Sequence, residues 1–95
     1  MQALNKSYNK GNEYFRLTDL QPTGVIASFD IDGFIYDGEA VVTEVDCFVI
    51  SATGTWIELK DVKAVRQLLN SSDIKQLIAT KLDITHNTYI HNVEI

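Results

Sequence analysis

Asp30, Asp32, Asp37 and Glu39 place four carboxylates within ten positions of a 95-residue chain. Carboxylates at such spacing are the raw material of general acid–base chemistry and of hard-cation binding. Read as a calcium loop beginning at Asp30, the segment fails. The sixth position should be Gly and the twelfth Glu, and Ile35 and Val41 stand there. A looser cation site among the four carboxylates stays open. Imidazole and thiol chemistry is thinner. His86 and His91 are five apart, which on a strand sets them on opposite faces and prevents shared chelation. Cys47 is the chain's one cysteine, so no intrachain disulfide can form and zinc has no thiolate cluster to use. It sits in the inward set of an alternating run beside Val45 and Val49, and reads as a buried structural thiol. No GxSxG, Walker-type or Rossmann glycine pattern occurs.

The string from Val25 to Glu39, VIASFDIDGFIYDGE, resembles the first motif of haloacid-dehalogenase-like phosphohydrolases, an apolar strand running into DxDGT. The resemblance implies a nucleophile at Asp30, a general acid/base at Asp32 and magnesium alongside. It covers about fifteen residues of the chain and then departs from the family pattern. Phe34 stands at the Thr position, and no paired-aspartate motif follows downstream. Phe48-Val49-Ile50-Ser51 comes too soon to be the second motif, because a parallel crossover needs a dozen or more residues. The expectation is a chain without catalytic residues, metal or cofactor.

Charge supplies a stronger signal than any catalytic motif. The net charge is −5, yet no Lys or Arg falls between Leu17 and Leu59. That stretch holds Asp19, Asp30, Asp32, Asp37, Glu39, Glu44, Asp46 and Glu58. Lys60 to Lys81 is basic on balance, so the domain should have an acidic side and a less acidic one. An acidic side repels nucleic acid and membrane surfaces and attracts basic protein surfaces. Lys60, Lys63 and Arg66 make only a weak basic spot, which argues against direct nucleic-acid binding.

The elements that must position these residues follow from pattern. With 45% hydrophobic and 22% charged residues, the chain has the composition of a single folded domain. Residues 1–12 read as a loosely ordered lead-in or edge element and residues 13–95 as one α+β domain. Glu13 to Leu20 reads as a strand ended by Pro22. Val25 to Ile31 alternates, with Ala27, Phe29 and Ile31 facing inward. Asp32-Gly33 is a two-residue hairpin signal that would set Phe29 opposite Tyr36. Asp37-Gly38 is a second such signal, and the segment from Asp32 to Glu39 also fits a single loop. Ala40 to Ser51 is the longest strand, with Val41, Thr43, Val45, Cys47 and Val49 on the inner face. Ala52-Thr53-Gly54 then closes a hairpin with Ser51 opposite Thr55, which sets Ile50 against Trp56 and Asp46 against Lys60.

Asp61 opens a helical run through Val62, Val65 and Leu68/Leu69 to Asn70. Ser71-Ser72-Asp73 reads as an N-cap cluster for a second run through Ile74, Leu77, Ile78 and Leu82. One kinked helix and two short ones both fit. Ile84 to Ile95, rich in β-formers, reads as a last strand. The expected fold is an antiparallel sheet of four or five strands with this helical segment on one face.

On the opposite face Trp56, Ile50, Phe48 and Val42 should form an apolar patch beside Glu44, Asp46 and Glu58. Aromatic anchors among charges are characteristic of interfaces. The sequence therefore predicts a protein-binding module acting through Asp30, Asp32, Asp37, Glu39, Glu44, Asp46, Phe48, Ile50 and Trp56. Its partner would be a basic protein surface, such as that of a nucleic-acid-binding protein. A structural subunit forming a homodimer through the Trp56 face is the alternative. No apolar run approaches the ~20 residues that span a bilayer. The start, Met1 to Lys6, lacks the features of a signal peptide, so a cytoplasmic location is expected.

Overall fold

The computed structural model describes residues 13–84, 88–90 and 93–95. The lead-in over 1–12 and both histidines lie outside the described residues. The order is β1 (Glu13–Leu20), β2 (Ala27–Tyr36), β3 (Glu39–Ile50), β4 (Trp56–Leu59), α1 (Val62–Asn70), α2 (Ile74–Leu82) and β5 (Thr88–Tyr89). Strands β1 to β4 form an antiparallel meander, and the helices pack on one face. This is an α+β fold.

The hairpin at Asp32-Gly33 does not form. Both residues lie inside β2, and the chain turns at Asp37-Gly38, where φ is 54° and 79°. Positive φ at both central residues is what a type I′ turn requires. Phe29 consequently faces Cys47 rather than Tyr36, and the stretch from Asp32 to Glu39 is strand and tight turn rather than loop. Gly33 serves a different need. A Cβ there would collide with the Val41 carbonyl oxygen and come within 2.8 Å of the Phe15 ring. Beside it the ladder slips: Asp32 pairs with Glu44 while Gly33 pairs with Val42, leaving Thr43 as the extra residue of a bulge. The Thr43 hydroxyl donates to the Asp32 carbonyl at 3.2 Å.

That bulge reverses the faces of the first half of β3. Ala40 and Val42 point inward and are buried, whereas Val41 is only half-buried and Thr43 is exposed. Beyond the bulge Val45 and Cys47 point inward as the alternation predicts. The β3–β4 hairpin matches its expected register: Ile50 faces Trp56, Val49 faces Ile57 and Cys47 faces Leu59. The Ser51 amide donates to the Thr55 carbonyl at 2.8 Å, and Gly54 takes φ 86°.

Asp61 caps α1 by accepting from the amides of Lys63 and Ala64 at 3.0 and 3.2 Å. Ser71 and Ser72 do not cap α2. Their hydroxyls donate backward to the carbonyls of Gln67 and Leu69, closing the end of α1, and Asp73 makes no side-chain cap bond. Two separate helices result. Val65 and Leu69 of α1 and Ile74 and Ile78 of α2 are buried against Phe29, Ile31, Val45 and Cys47, while Val62 stays exposed. Burying a side chain such as Phe29 is worth about 1.5–3 kcal/mol, so this inner face carries the fold.

Of the expected last strand, the described residues that pair as a strand are Thr88 and Tyr89, which run parallel to β3 through Ala40 and Val41. Further on, Glu94 bridges Thr43 and Val45 through two 2.9 Å backbone bonds. Arg66 donates to the Val93 carbonyl at 3.3 Å and pins this tail against α1. No helix among the described residues is long and apolar enough to cross a membrane.

Candidate partner-binding face

The face of the sheet away from the helices presents three bands. At the β2–β3 turn end lie Tyr14 and Phe34, stacked edge-to-face with ring centres 5.9 Å apart. At the other end lie Phe48, Ile50 and Trp56, with Ile50 45% and Trp56 42% exposed. Between them run the carboxylates. Val42 is absent from the apolar end, because the Thr43 bulge turns it into the core.

The register dictates the arrangement of acids. Asp30 stands directly opposite Asp46, and Asp32 directly opposite Glu44. Like charges at such positions destabilise a ladder, where an opposite-charge pair would contribute roughly 0.2–1 kcal/mol. Arg16 relieves part of this. Its Nη1 donates to Asp32 Oδ2 at 2.6 Å, and Nη2 lies 3.7 Å from Asp30 Oδ2. The hydrogen bond to Asp32 and that carboxylate's charge raise the Arg16 pKa, with smaller help from Asp30 and Asp46. Asp46 and Glu44 form no salt bridge among the described residues, although the charge of Asp46 reaches Arg16. Lys60, expected opposite Asp46, lies past the end of β4 and approaches Glu58 at 4.0 Å.

Asp19 joins this face through a second irregularity. The β1–β2 register shifts between Leu17 and Leu20, and Asp19 takes φ 57° there. Its amide donates to Asp30 Oδ1 at 3.0 Å. Its own Oδ1 accepts from Gln21 Nε2 at 2.9 Å and from the Ser28 hydroxyl at 3.0 Å. Those two bonds, Gln21 first, hold the Asp19 carboxyl below its usual range. Thr18, Asp19, Ser28 and Asp30 line a shallow concavity of about 210 Å³ together with Phe48 and Trp56.

The remaining predicted residues stand apart. Asp37 is in the turn, and Glu39 begins β3, accepting from the Tyr89 hydroxyl at 3.3 Å. The fold thus separates them from Asp30 and Asp32 by about half the length of β2. Among the described residues no three His, Cys, Asp or Glu side chains gather as a metal ion would require. Burial pushes the Cys47 thiol up to about 11, which keeps it protonated and unreactive at neutral pH.

Two larger hollows, of about 440 and 290 Å³, flank Asp73 and Gln76 at the start of α2. Neither contains an aromatic side chain or a cluster of charges of one sign. Two features were not legible in the sequence: the Arg16 clamp, which depends on β1 register, and Asp19, which depends on a bulge. Comparison with protein families, curated proteins and solved structures finds no match for this chain.

Proposed function

We propose that the protein is a non-catalytic binding module that takes a basic protein surface on the outer face of its sheet. One observation carries this reading: two like-charge cross-strand pairs lie beside an exposed aromatic end, and Arg16 is their single ionic partner among the described residues. Such a face is costly in isolation and complementary to a cationic one. In its sharpest form the module is an inhibitor or nucleic-acid mimic. Successive carboxylate rows along a strand are about 6.7 Å apart, and a basic groove would meet them as it meets spaced phosphates. A cytoplasmic setting, where a lone thiol stays reduced, suits this role.

Self-association through Trp56 is the second reading. A two-fold dimer would set this face against its own copy, acid against acid, so the exposed tryptophan alone favours it. The test is capture from lysate followed by mass spectrometry, with Asp46→Lys and Asp73→Lys as charge-matched variants. Asp73 lies on the helical side and makes no cap bond. The reading expects basic proteins that Asp46→Lys loses and Asp73→Lys keeps. Equal loss from both would reduce the effect to net charge and overturn it, and a light-scattering mass of two chains, lost in Trp56→Ala, would replace it with self-association.

A further inference from the structure

We infer that the segment Val93–Ile95 is a clasp on the edge of β3, and that a cationic partner on the outer face draws it shut. The second half of this rests on the reading above. One edge of β3 pairs with β2 along nearly its whole length, but the other edge is shared. There β4 pairs only from Cys47 to Ile50, and the tail takes the part from Ala40 to Val45. Within that tail Glu94 pairs with Glu44 in parallel register. Its amide donates to the Thr43 carbonyl and its carbonyl accepts from the Val45 amide, both at 2.9 Å. Side chains of cross-strand partners project to the same face of a sheet. Glu94 therefore stands exposed on the outer face beside Glu44, whereas Val93 points inward and is buried. Asp32, Glu44 and Glu94 form one row across three adjacent strands, with Arg16 bonded to Asp32 at the far end. Neither Glu44 nor Glu94 forms a salt bridge among the described residues.

Opposed forces act on this clasp. Burial of Val93, the two backbone bonds and Arg66 on the Val93 carbonyl hold it closed. The Glu44–Glu94 repulsion pushes it open, because like charges directly opposite each other destabilise a strand pair. A cation seated between the two carboxylates removes that repulsion, and it gains from both only while the clasp is closed. Binding and closure then favour each other.

The Val45 amide reports the state of the clasp, since its acceptor is the Glu94 carbonyl. Its hydrogen exchange is followed by NMR in the full native chain and in Glu94→Gln. Asp73→Asn, on the helical side, serves as the charge-matched control. In the native chain Val45 should exchange faster than global unfolding in denaturant accounts for. Glu94→Gln should slow that exchange about 1.5- to 5-fold, and Asp73→Asn should leave it unchanged. Added salt should bring the native rate toward that of Glu94→Gln. A Lys/Arg-rich peptide should slow Val45 exchange in the native chain and do less in Glu94→Gln, with calorimetry recording its binding. Exchange at the global rate, or one rate for the native chain and Glu94→Gln, would overturn the clasp. Peptide that binds without slowing Val45 would overturn the coupling and leave the acidic face as a docking surface. A peptide that does not bind at all would overturn the coupling and the reading of function together, and the Glu94→Gln rate would then decide the clasp alone.

Discussion

Arg16 governs the electrostatics of the outer face, although sixteen residues separate it from the aspartate it clamps. It competes with any incoming cation for Asp30 and Asp32. Arg16→Gln is therefore expected to move stability and binding in opposite directions. The variant should melt lower at low salt, because two acid pairs lose their internal counter-charge, and the deficit should shrink as salt screens them. It should also bind a cationic peptide more tightly than the native chain. Thermal melts and titrations at two ionic strengths check both, and lower affinity in the variant would show that Arg16 orders the face rather than occupies it. The acids were visible in the sequence as a run without bases. The clamp was not, because cross-strand neighbours follow from register and not from distance along the chain.

At the scale of elements, a local turn signal was outweighed by strand pairing. Asp32-Gly33 and Asp37-Gly38 are the same dipeptide with equal claims to a type I′ turn. Only the later one lets a ten-residue β2 pair along nearly the whole of β3. The β3–β4 hairpin was legible because loop length and alternation agree there. The Thr43 bulge left no trace in the alternation, since Val41 and Val42 are both apolar and either could face inward. Gly33 is the residue this rearrangement depends on. Gly33→Ala should destabilise by about 1–3 kcal/mol or more through overpacking against the Val41 carbonyl and the Phe15 ring. Denaturant unfolding measures the loss. A neutral variant would mean that β1 and β3 can separate at this point without cost. Because Gly33 is buried on the inner side of the sheet, residual folded protein should still bind cations normally.

Over the whole molecule, the two faces of one sheet divide the work. The inner face, from Phe29 and Ile31 to Ile74 and Ile78, holds the fold together, and the outer face gives up stability through opposed carboxylates. Asp46→Lys separates the two most cleanly. It converts the Asp30–Asp46 repulsion into an opposite-charge pair, which should stabilise the domain by about 0.2–1 kcal/mol. It should also slow encounter with a basic partner, because steering depends on the charge facing that partner. The most direct test is the association rate of a Lys/Arg-rich peptide against salt for the native chain, Asp46→Lys and the charge-matched Asp73→Lys. The native chain and Asp73→Lys should show the same steep fall with salt, and Asp46→Lys a slower and flatter one. Identical slopes for the two variants would contradict a dedicated binding face and leave the acidic run as ordinary solvation.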